Sequence, residues 1–141
     1  MAMPRMGKHA AVLVASATLL TGLGTVAAAG ASAADLGAAG SCTFANPKTV
    51  KTAKVDSINI QLRYSTSTRC AWGRIYNADP GDKVWVDRSS NGGRTWNGPL
   101  SMTTVKSGSD THTASRYDGG YVMRACAWND STHHLKCTGW Y

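Results

Sequence analysis

Apolar and polar residues alternate without a break from Ser57 to Ser65. The isoleucines and the leucine of this stretch fall on one side of an extended chain, and Asn, Gln and Arg fall on the other. This is the two-residue period of a half-buried β-strand. Further strands are predicted at 70–76 and 83–88, and weaker ones near 100–105, 111–117 and 121–128. Residues 34–54 lack the alternation, so we expect an N-terminal arm there, ahead of a β domain over 55–141.

Turn-forming residues separate these segments. Residues 77–82 read Asn-Ala-Asp-Pro-Gly-Asp, and residues 91–93 read Asn-Gly-Gly, compositions that favour turns. Six or seven short strands with turns every ~8–12 residues are typical of a small sandwich or barrel. The predicted fold is therefore all-β: a single-domain antiparallel sandwich or barrel, stapled by disulfides.

Strand register predicts which side chains share a face. If the second and third strands form a hairpin across 77–82, Ile75 faces Val84. A short turn after the first strand then places Ile60 beside Ile75. A slip by one residue would send the isoleucines to a charged face, which burial disfavours. The predicted core face carries Ile58, Ile60, Leu62, Tyr64, Ala71, Ile75, Val84 and Val86.

The opposite face of this predicted sheet combines aromatic and basic side chains. We interpret it as a candidate binding surface, because such rings stack on sugars or partner side chains and the cations donate hydrogen bonds. Its members are Arg63, Trp72, Arg74, Tyr76, Lys83 and Trp85. The alternative is that a second sheet covers this face and that its aromatic rings belong to the core.

The small number of aliphatic residues supports the alternative that the aromatic rings are part of the core. From residue 35 on, the chain has 14 Leu, Ile, Val and Phe residues, a share well below the ~20% expected of folded domains. Five Trp and five Tyr can supply the missing apolar area. Disulfides can add ~2–4 kcal/mol each.

The N-terminus has the three parts of a secretory signal peptide. Arg5 and Lys8 precede an apolar run at 10–29, and Ala31-Ser32-Ala33 supplies a cleavage site. We predict that residues 1–33 are removed, that the mature chain is secreted, and that it keeps no transmembrane segment. The alternative is a retained membrane anchor, although Ser, Thr and Gly interrupt the apolar run.

Four cysteines lie in the predicted mature chain, and an exported protein meets an oxidising environment that favours disulfides. Four cysteines allow three pairings, of which we favour Cys42–Cys70 and Cys126–Cys137. The first ties the arm to the sheet, and the second closes a short loop. Cys-x-x-Cys and His-x-x-x-His spacings are both absent from the sequence, so we predict no metal and no cofactor.

Residues 89–96, Ser-Ser-Asn-Gly-Gly-Arg-Thr-Trp, match the Asp-box pattern Ser-x-Asp-x-Gly-x-Thr-Trp with Asn at its third position. Turn chemistry explains each position of the pattern. The polar side chain accepts hydrogen bonds from backbone amides of the turn, Gly adopts a positive φ, and Trp packs under the turn. Ser89, Asn91, Gly93 and Trp96 are therefore predicted to build a structural turn.

Catalytic groupings are poor, and we predict no catalytic residues. Asp110 and His112 are close in sequence, but no nucleophile motif accompanies them, and the chain has no Glu. The formal net charge is +7, and Lys48, Lys51 and Lys54 suggest an anionic partner or, alternatively, a solvated basic arm. A signature for specific nucleic-acid binding does not accompany them.

Several blocks of this sequence resemble the YjfA-like family. They are Thr49-Val50-Lys51-Thr52-Ala53, Ile60-x-Leu62-Arg63-Tyr64-Ser65, Cys70-Ala71-Trp72-Gly73-Arg74-Ile75, Gly81-Asp82-x-Val84-Trp85-Val86, and Arg124-Ala125-Cys126 with Cys137-Thr138-Gly139-Trp140-Tyr141. The resemblance implies a small bacterial protein, secreted or membrane-attached, with an all-β fold and four cysteines. The family has no assigned function, so it implies no catalytic residues. Gly73 stands where the family usually has Ala.

These features favour a non-enzymatic extracellular module that binds a cell-wall polymer, a glycan or a surface protein, or that associates with copies of itself. Two alternatives remain: a structural envelope protein without a soluble ligand, and a small secreted hydrolase that uses Asp and His in loops.

Overall fold

A computed structural model describes residues 42–141 of the chain. Within this range nine strands form two antiparallel sheets, and the range contains no helix. The strands are β1 (Pro47–Val55), β2 (Ile58–Ser65), β3 (Cys70–Tyr76), β4 (Lys83–Ser89), β5 (Asn97–Thr104), β6 (Asp110–His112), β7 (Arg116–Tyr117), β8 (Val122–Trp128) and β9 (Leu135–Cys137). The predicted all-β sandwich is confirmed, with more strands than the expected six or seven.

The two sheets have different strand orders. Sheet A runs β1-β2-β3-β6, with β7 also pairing with β3, and sheet B runs β5-β4-β8-β9. Their inner faces enclose one apolar core. It contains Val55, Ile58, Ile60, Leu62, Ala71, Ile75, Ala78, Val84, Val86, Val105, Met123, Ala125 and Ala127. All the predicted core residues lie here except Tyr64, which is half-buried and packs against the cluster.

The predicted register between β2 and β3 is confirmed. Ile60 pairs with Ile75, and Leu62 pairs with Gly73. A β-carbon on Gly73 would lie 3.1 Å from Val84 Cγ2 and 3.3 Å from Ala125 Cβ. The two sheets therefore approach each other closely at Gly73, and a larger residue would need Val84 to move.

Residues 77–82 carry the chain from sheet A to sheet B. The predicted hairpin between strands 70–76 and 83–88 is wrong, because β3 pairs within sheet A while β4 pairs with β5 and β8. The Asp82 carboxylate accepts hydrogen bonds from the backbone N–H of Asp79 (2.8 Å) and of Asp130 (2.9 Å). These bonds fasten the crossing segment to the loop between β8 and β9.

The N-terminal arm is shorter than expected. The predicted arm over 34–54 is wrong from Pro47 onward, because Pro47–Val55 forms β1 at the edge of sheet A. Its alternation is weak because most of its side chains are exposed. A register shift between Thr49 and Lys51 marks a bulge in its pairing with β2.

Both disulfides have the pairing that the sequence favoured. Cys42–Cys70 joins the segment before β1 to the start of β3. Cys126–Cys137 joins two residues that are register partners on β8 and β9. All four cysteines are thus oxidised, which is compatible with an extracellular protein.

The predicted signal peptide at 1–33, and the part of the predicted arm before Cys42, lie outside the described residues. Between residues 42 and 141, no helix is long and apolar enough to cross a membrane.

Candidate functional site

The six predicted binding residues do not share one surface. Because β3 and β4 lie in different sheets, Arg63, Trp72, Arg74 and Tyr76 occupy the outer face of sheet A, whereas Lys83 and Trp85 lie on β4 of sheet B. The predicted aromatic and basic face is therefore divided between two opposite sides of the sandwich, and the interpretation of it as one binding surface is wrong.

The two tryptophans of that prediction are buried. Trp72 is 4% exposed and Trp85 is 8% exposed. The Phe44 ring covers Trp72 edge-on, with ring centroids 4.8 Å apart, and also contacts His112 at 5.0 Å. Trp72 is therefore covered by the N-terminal segment rather than by a second sheet.

Arg74 organises the rest of the outer face of sheet A. Its guanidinium lies 5.1 Å from the centroid of the Tyr76 ring, and it donates to Gln61 and to Asp110. Asp110 is thereby engaged in an ion pair, while His112 Nδ1 lies 2.9 Å from the Thr113 carbonyl oxygen. The Asp110 and His112 side chains point to different partners and do not form an acid–base pair.

The Asp-box-like turn has the hydrogen bonds that its sequence pattern predicts. Ser89 Oγ accepts from the N–H groups of Asn91 (3.2 Å) and Gly93 (2.8 Å). Asn91 Oδ1 accepts from the N–H of Thr95 (3.0 Å), and Gly93 has a φ of 96°. These bonds hold the turn in one conformation and fix the position at which Trp96 leaves it.

Trp96 does not pack under the turn, so that part of the prediction is wrong. Its side chain is 49% exposed. Its ring centroid lies 4.4 Å from the Arg124 guanidinium carbon, which also lies 4.6 Å from the Trp140 centroid. The two indoles are 5.9 Å apart and tilted by 54°. We call Trp96, Arg124 and Trp140 the Trp–Arg cluster.

Asp87 fixes the cation of this cluster. Its Oδ2 lies 2.9 Å from Arg124 Nε, and its side chain is 4% exposed. The carboxylate sits on β4 directly opposite Arg124 on β8. A β-carbon on Gly98 would collide with this carboxylate, so Gly98 allows β5 to pass close to it. Asp87 therefore holds the guanidinium against the two indoles.

A polar cleft opens beside the Trp–Arg cluster. Its volume is about 190 Å³, and it is lined by Arg88, Ser90, Thr95, Trp96, Asn97 and Tyr121. The Arg88 guanidinium lies 4.5 Å from the centroid of Tyr121, which is 41% exposed. The lining thus offers two aromatic walls with hydroxyl, amide and guanidinium donors between them, and it contains no carboxylate.

Asp118 lies at the start of the loop that carries Tyr121, which is one of the residues lining this cleft. It is 6% exposed, its Oδ1 has no hydrogen-bond partner among the described residues, and its carbonyl accepts from the N–H of Tyr121 (2.9 Å). Burial raises the pKa of Asp118 to about 7, although Arg88 and Arg69 act in the opposite direction. This carboxyl therefore titrates near neutral pH.

A second carboxylate cluster joins the β1–β2 turn to the β8–β9 loop. Asp56 accepts hydrogen bonds from Thr132 Oγ1 (2.7 Å), from Asn129 Nδ2 (3.0 Å) and from His134 Nδ1 (3.0 Å). The bonds from Thr132 and His134 hold the pKa of Asp56 below its ordinary value. The adjacent His133 ring stacks on Trp128 at 5.5 Å. The cluster lies at the same end of the sandwich as the crossing segment, where Asn77 Nδ2 donates to the Ser57 carbonyl oxygen at 3.0 Å.

One group of side chains has the composition of a metal site but not its chemistry. Asp87, Cys126 and Cys137 place a carboxylate oxygen and two sulfurs within 4.8 Å of one another. Both sulfurs are bound in a disulfide, so neither is a thiolate ligand. The carboxylate is paired with Arg124. These residues therefore do not fit a metal ion.

Sequence reasoning did not find Arg124, Trp140 or Tyr121 as candidate site residues. The Trp–Arg cluster joins positions that are distant along the chain, and no local pattern announces their contact. The available signal was the Asp-box-like turn, which placed Trp96 at a defined position but did not show what it would meet.

Residues 34–121 match the model of one protein family, which is described as a protein of unknown function (DUF2690). Comparisons with curated proteins and with solved structures gave no match.

Proposed function

Because this chain belongs to the DUF2690 family of proteins of unknown function, we propose its function from its site: a secreted, non-enzymatic module that binds a glycan or cell-wall polymer. The observation that carries the proposal is the half-exposed indole of Trp96, held by Arg124 at the mouth of the polar cleft.

The chemistry of the cleft suits a sugar. Sugar rings present flat C–H surfaces that pack on aromatic rings, and hydroxyl groups that need donors and acceptors. Trp96 and Tyr121 supply the rings, while Ser90, Thr95 and Asn97 supply polar groups. The volume of about 190 Å³ is below the ~300–1,000 Å³ of sites that enclose a drug-sized ligand. We therefore assign the cleft to a single sugar unit of a longer chain.

The non-enzymatic part of the proposal is supported by a cleft lining that contains no carboxylate and no histidine. Glycoside hydrolysis uses a pair of carboxyl groups on either side of the scissile bond. Asp87 is buried and paired with Arg124, and Asp118 is not among the residues that line the cleft. Asp87 instead fixes Arg124 against Trp96 and Trp140.

The finer family assignment is part of the same proposal. The blocks at 60–65 and 70–75, which contain Leu-Arg-Tyr-Ser and Cys-x-Trp-x-Arg, support a YjfA-like protein. In the fold these two blocks are the paired strands β2 and β3. Secretion through the predicted leader is likewise proposed, and the two disulfides support it.

Retention on insoluble polymers tests the proposal. Purified bacterial cell wall, chitin and cellulose are incubated with the protein, and the bound fraction is measured. We expect retention on at least one polymer and about a tenfold loss of affinity in Trp96→Ala, because one aromatic contact of ~1.5 kcal/mol is removed. Trp96→Phe keeps a ring and should retain most of the affinity.

The matched control is Leu135→Ala on β9, since Leu135 is a similarly exposed apolar side chain, 52% exposed, away from the cleft. Equal affinity of Trp96→Ala and wild type for each retained polymer would contradict the proposal. A dimer on size-exclusion chromatography without polymer retention would instead support self-association.

A further inference from the structure

β1 forms a basic free edge of sheet A. Among residues 42–141 it pairs with β2 on one side only, so no strand of this part of the chain occupies the backbone N–H groups on its other side. Lys48, Lys51 and Lys54 are all exposed along this strand. Three ammonium groups and a row of amide donors therefore line one edge of the sandwich.

The strand itself contributes no acidic residue to offset this charge. Residues 47–55 contain no Asp or Glu. The next acid, Asp56, already accepts hydrogen bonds from three side chains across the end of the sandwich. On the neighbouring strand, Arg63 donates to Thr49 Oγ1 at 2.6 Å, which brings a fourth cation to the same edge.

The three-residue spacing of Lys51 and Lys54 places them on opposite faces of the strand. The bulge between Thr49 and Lys51 puts Lys48 on the same face as Lys51. Lys54 pairs in register with Asn59 and shares the outer face of sheet A, whereas Lys51 pairs with the core residue Leu62. Lys51 therefore extends past the open side of the sandwich rather than over its outer face. An extended anion that follows the edge would meet ammonium groups on both sides.

This basic edge is continuous with the Trp–Arg cluster. A β-carbon on Gly139 would lie 3.9 Å from Lys51 Cδ, so the Lys51 side chain passes over the backbone at Gly139. The next residue, Trp140, contacts both Trp96 and Arg124. One step along the backbone therefore separates the lysine edge from the aromatic surface.

We propose that the ligand is an anionic glycopolymer that carries phosphate groups, with one sugar ring on the Trp–Arg cluster and the phosphates along β1. The proposal rests on the proposed function, because the ring contact is the same site. Its own content is the charge of the ligand and the second contact surface, which lengthens the footprint from one sugar unit to a chain segment. Two linked contacts raise the overall affinity beyond either one alone.

The competing explanation for the lysines is protection of the edge. Lysine on an exposed edge strand prevents pairing with another chain, and this role requires no ligand. The two explanations differ in what removal of the charge does to binding and to self-association.

The test uses two forms of one wall preparation: intact wall, and the same wall after extraction of its phosphate polymers. Long-chain polyphosphate serves as a soluble polyanion without sugar. The Lys48→Gln/Lys51→Gln/Lys54→Gln variant should bind intact wall and polyphosphate about 100-fold more weakly, at about fivefold per lysine. Its affinity for extracted wall should be unchanged. Wild-type binding to intact wall should weaken with added salt, and the variant should show less of this dependence.

Two controls test whether the loss of binding depends on the positive charge and on its position in β1. The same three lysines changed to Arg keep the charge and should keep the affinity. Lys83→Gln/Lys106→Gln removes two cations outside β1, and it should leave binding within about twofold, since surface charges away from the contact contribute little.

The outcomes separate the two proposals. If the triple Gln variant binds intact wall as wild type does, the phosphate contact along β1 is overturned, whether or not Trp96→Ala weakens binding. If the variant instead forms β-rich aggregates with unchanged affinity, edge protection is the role of the lysines. If Trp96→Ala has no effect on either wall while the triple variant loses intact wall, the proposed glycan site fails and the charged edge stands alone.

Discussion

Asp87 on β4 and Arg124 on β8 are register partners, and their side chains meet at 2.9 Å beneath two indole rings. The carboxylate is almost fully buried, and it faces a guanidinium whose other surfaces contact Trp96 and Trp140. An arginine can satisfy both requirements because its planar group forms ion pairs in plane and stacks on aromatic rings. The pair is thus the foundation of the proposed binding surface.

Replacing Arg124 by Met should destabilise the protein by about 2–4 kcal/mol, because it leaves the Asp87 carboxylate buried without its cation. Urea denaturation followed by far-UV circular dichroism measures this change. Arg94→Met, at the exposed tip of the Asp-box-like turn, is the control and should change stability by less than about 0.5 kcal/mol. Equal free energies of unfolding for the two variants would show that the ion pair contributes nothing.

Two adjacent glycines give a second, sharper comparison. Gly92 and Gly93 have φ values of 76° and 96°, so Ala strains the backbone at either position. A β-carbon on Gly93 would lie 2.5 Å from Trp140 Nε1, whereas one on Gly92 meets no atom within 4 Å. Gly93→Ala should therefore cost about 1–3 kcal/mol more than Gly92→Ala, and it alone should displace the Trp140 ring.

Tryptophan fluorescence and polymer retention both report this displacement. We expect Gly93→Ala to change the emission spectrum and to reduce retention, while Gly92→Ala leaves both near wild type. If both variants lose the same stability, backbone strain rather than the collision determines the effect.

The raised pKa of Asp118 predicts a fall in stability as pH rises from about 4 to about 7. Its pKa is about 7 in the folded protein and ~3.9 in an unfolded chain, so the folded state binds this proton more tightly. The contribution is fully present below about pH 4 and is lost as pH rises through about 7. Asp118→Asn should remove this loss of stability. The measurement is the free energy of unfolding of each protein at pH 5 and at pH 8.

The exposed acid Asp110 provides the control for that experiment. Asp110→Asn also removes one carboxylate, but it should keep the wild-type decline toward pH 8. A parallel decline in Asp118→Asn and wild type would mean that another group is responsible.

The Cys42–Cys70 disulfide predicts a linked change in stability and in the environment of Trp72. Its 28-residue separation corresponds to about 3–4 kcal/mol of loop-closure entropy. In Cys42→Ser/Cys70→Ser, Phe44 loses its nearby anchor, so Trp72 should become accessible to acrylamide quenching. Cys126→Ser/Cys137→Ser, which breaks the other disulfide, should leave the quenching of Trp72 unchanged. A Trp72 that stays protected in the first variant would show that Phe44 packs without the tether.

The sequence specified the local part of this fold well. The pairing of Ile60 with Ile75 followed from alternation and a short turn, because a one-residue slip would expose both side chains. The burial of Val84 was also anticipated. The sheet that contains Val84 was predicted wrongly. A hairpin and a crossing between sheets both turn Ile75 and Val84 toward the core, so burial does not distinguish them. Only the distant pairing with β8 distinguishes them.

The same non-local step explains why the candidate site was missed. Trp72 and Trp85 share a face only if β3 and β4 are neighbours in one sheet, and these strands lie in different sheets. Trp96 was correctly placed at the end of a rigid turn, but its partners Arg124 and Trp140 come from β8 and from the segment after β9. Local pattern fixes the direction of a side chain, whereas tertiary pairing decides what it contacts.

The crossing of the chain at residues 77–82 also predicts the order in which parts of the protein form during refolding. β2 and β3 are adjacent along the chain, so we expect them to zip together early in refolding, whereas Asp87 must find Arg124 across 37 residues. Closing that larger loop costs entropy before any contact repays it. A refolding molecule would therefore form the β2–β3 pair early and the Trp–Arg cluster late.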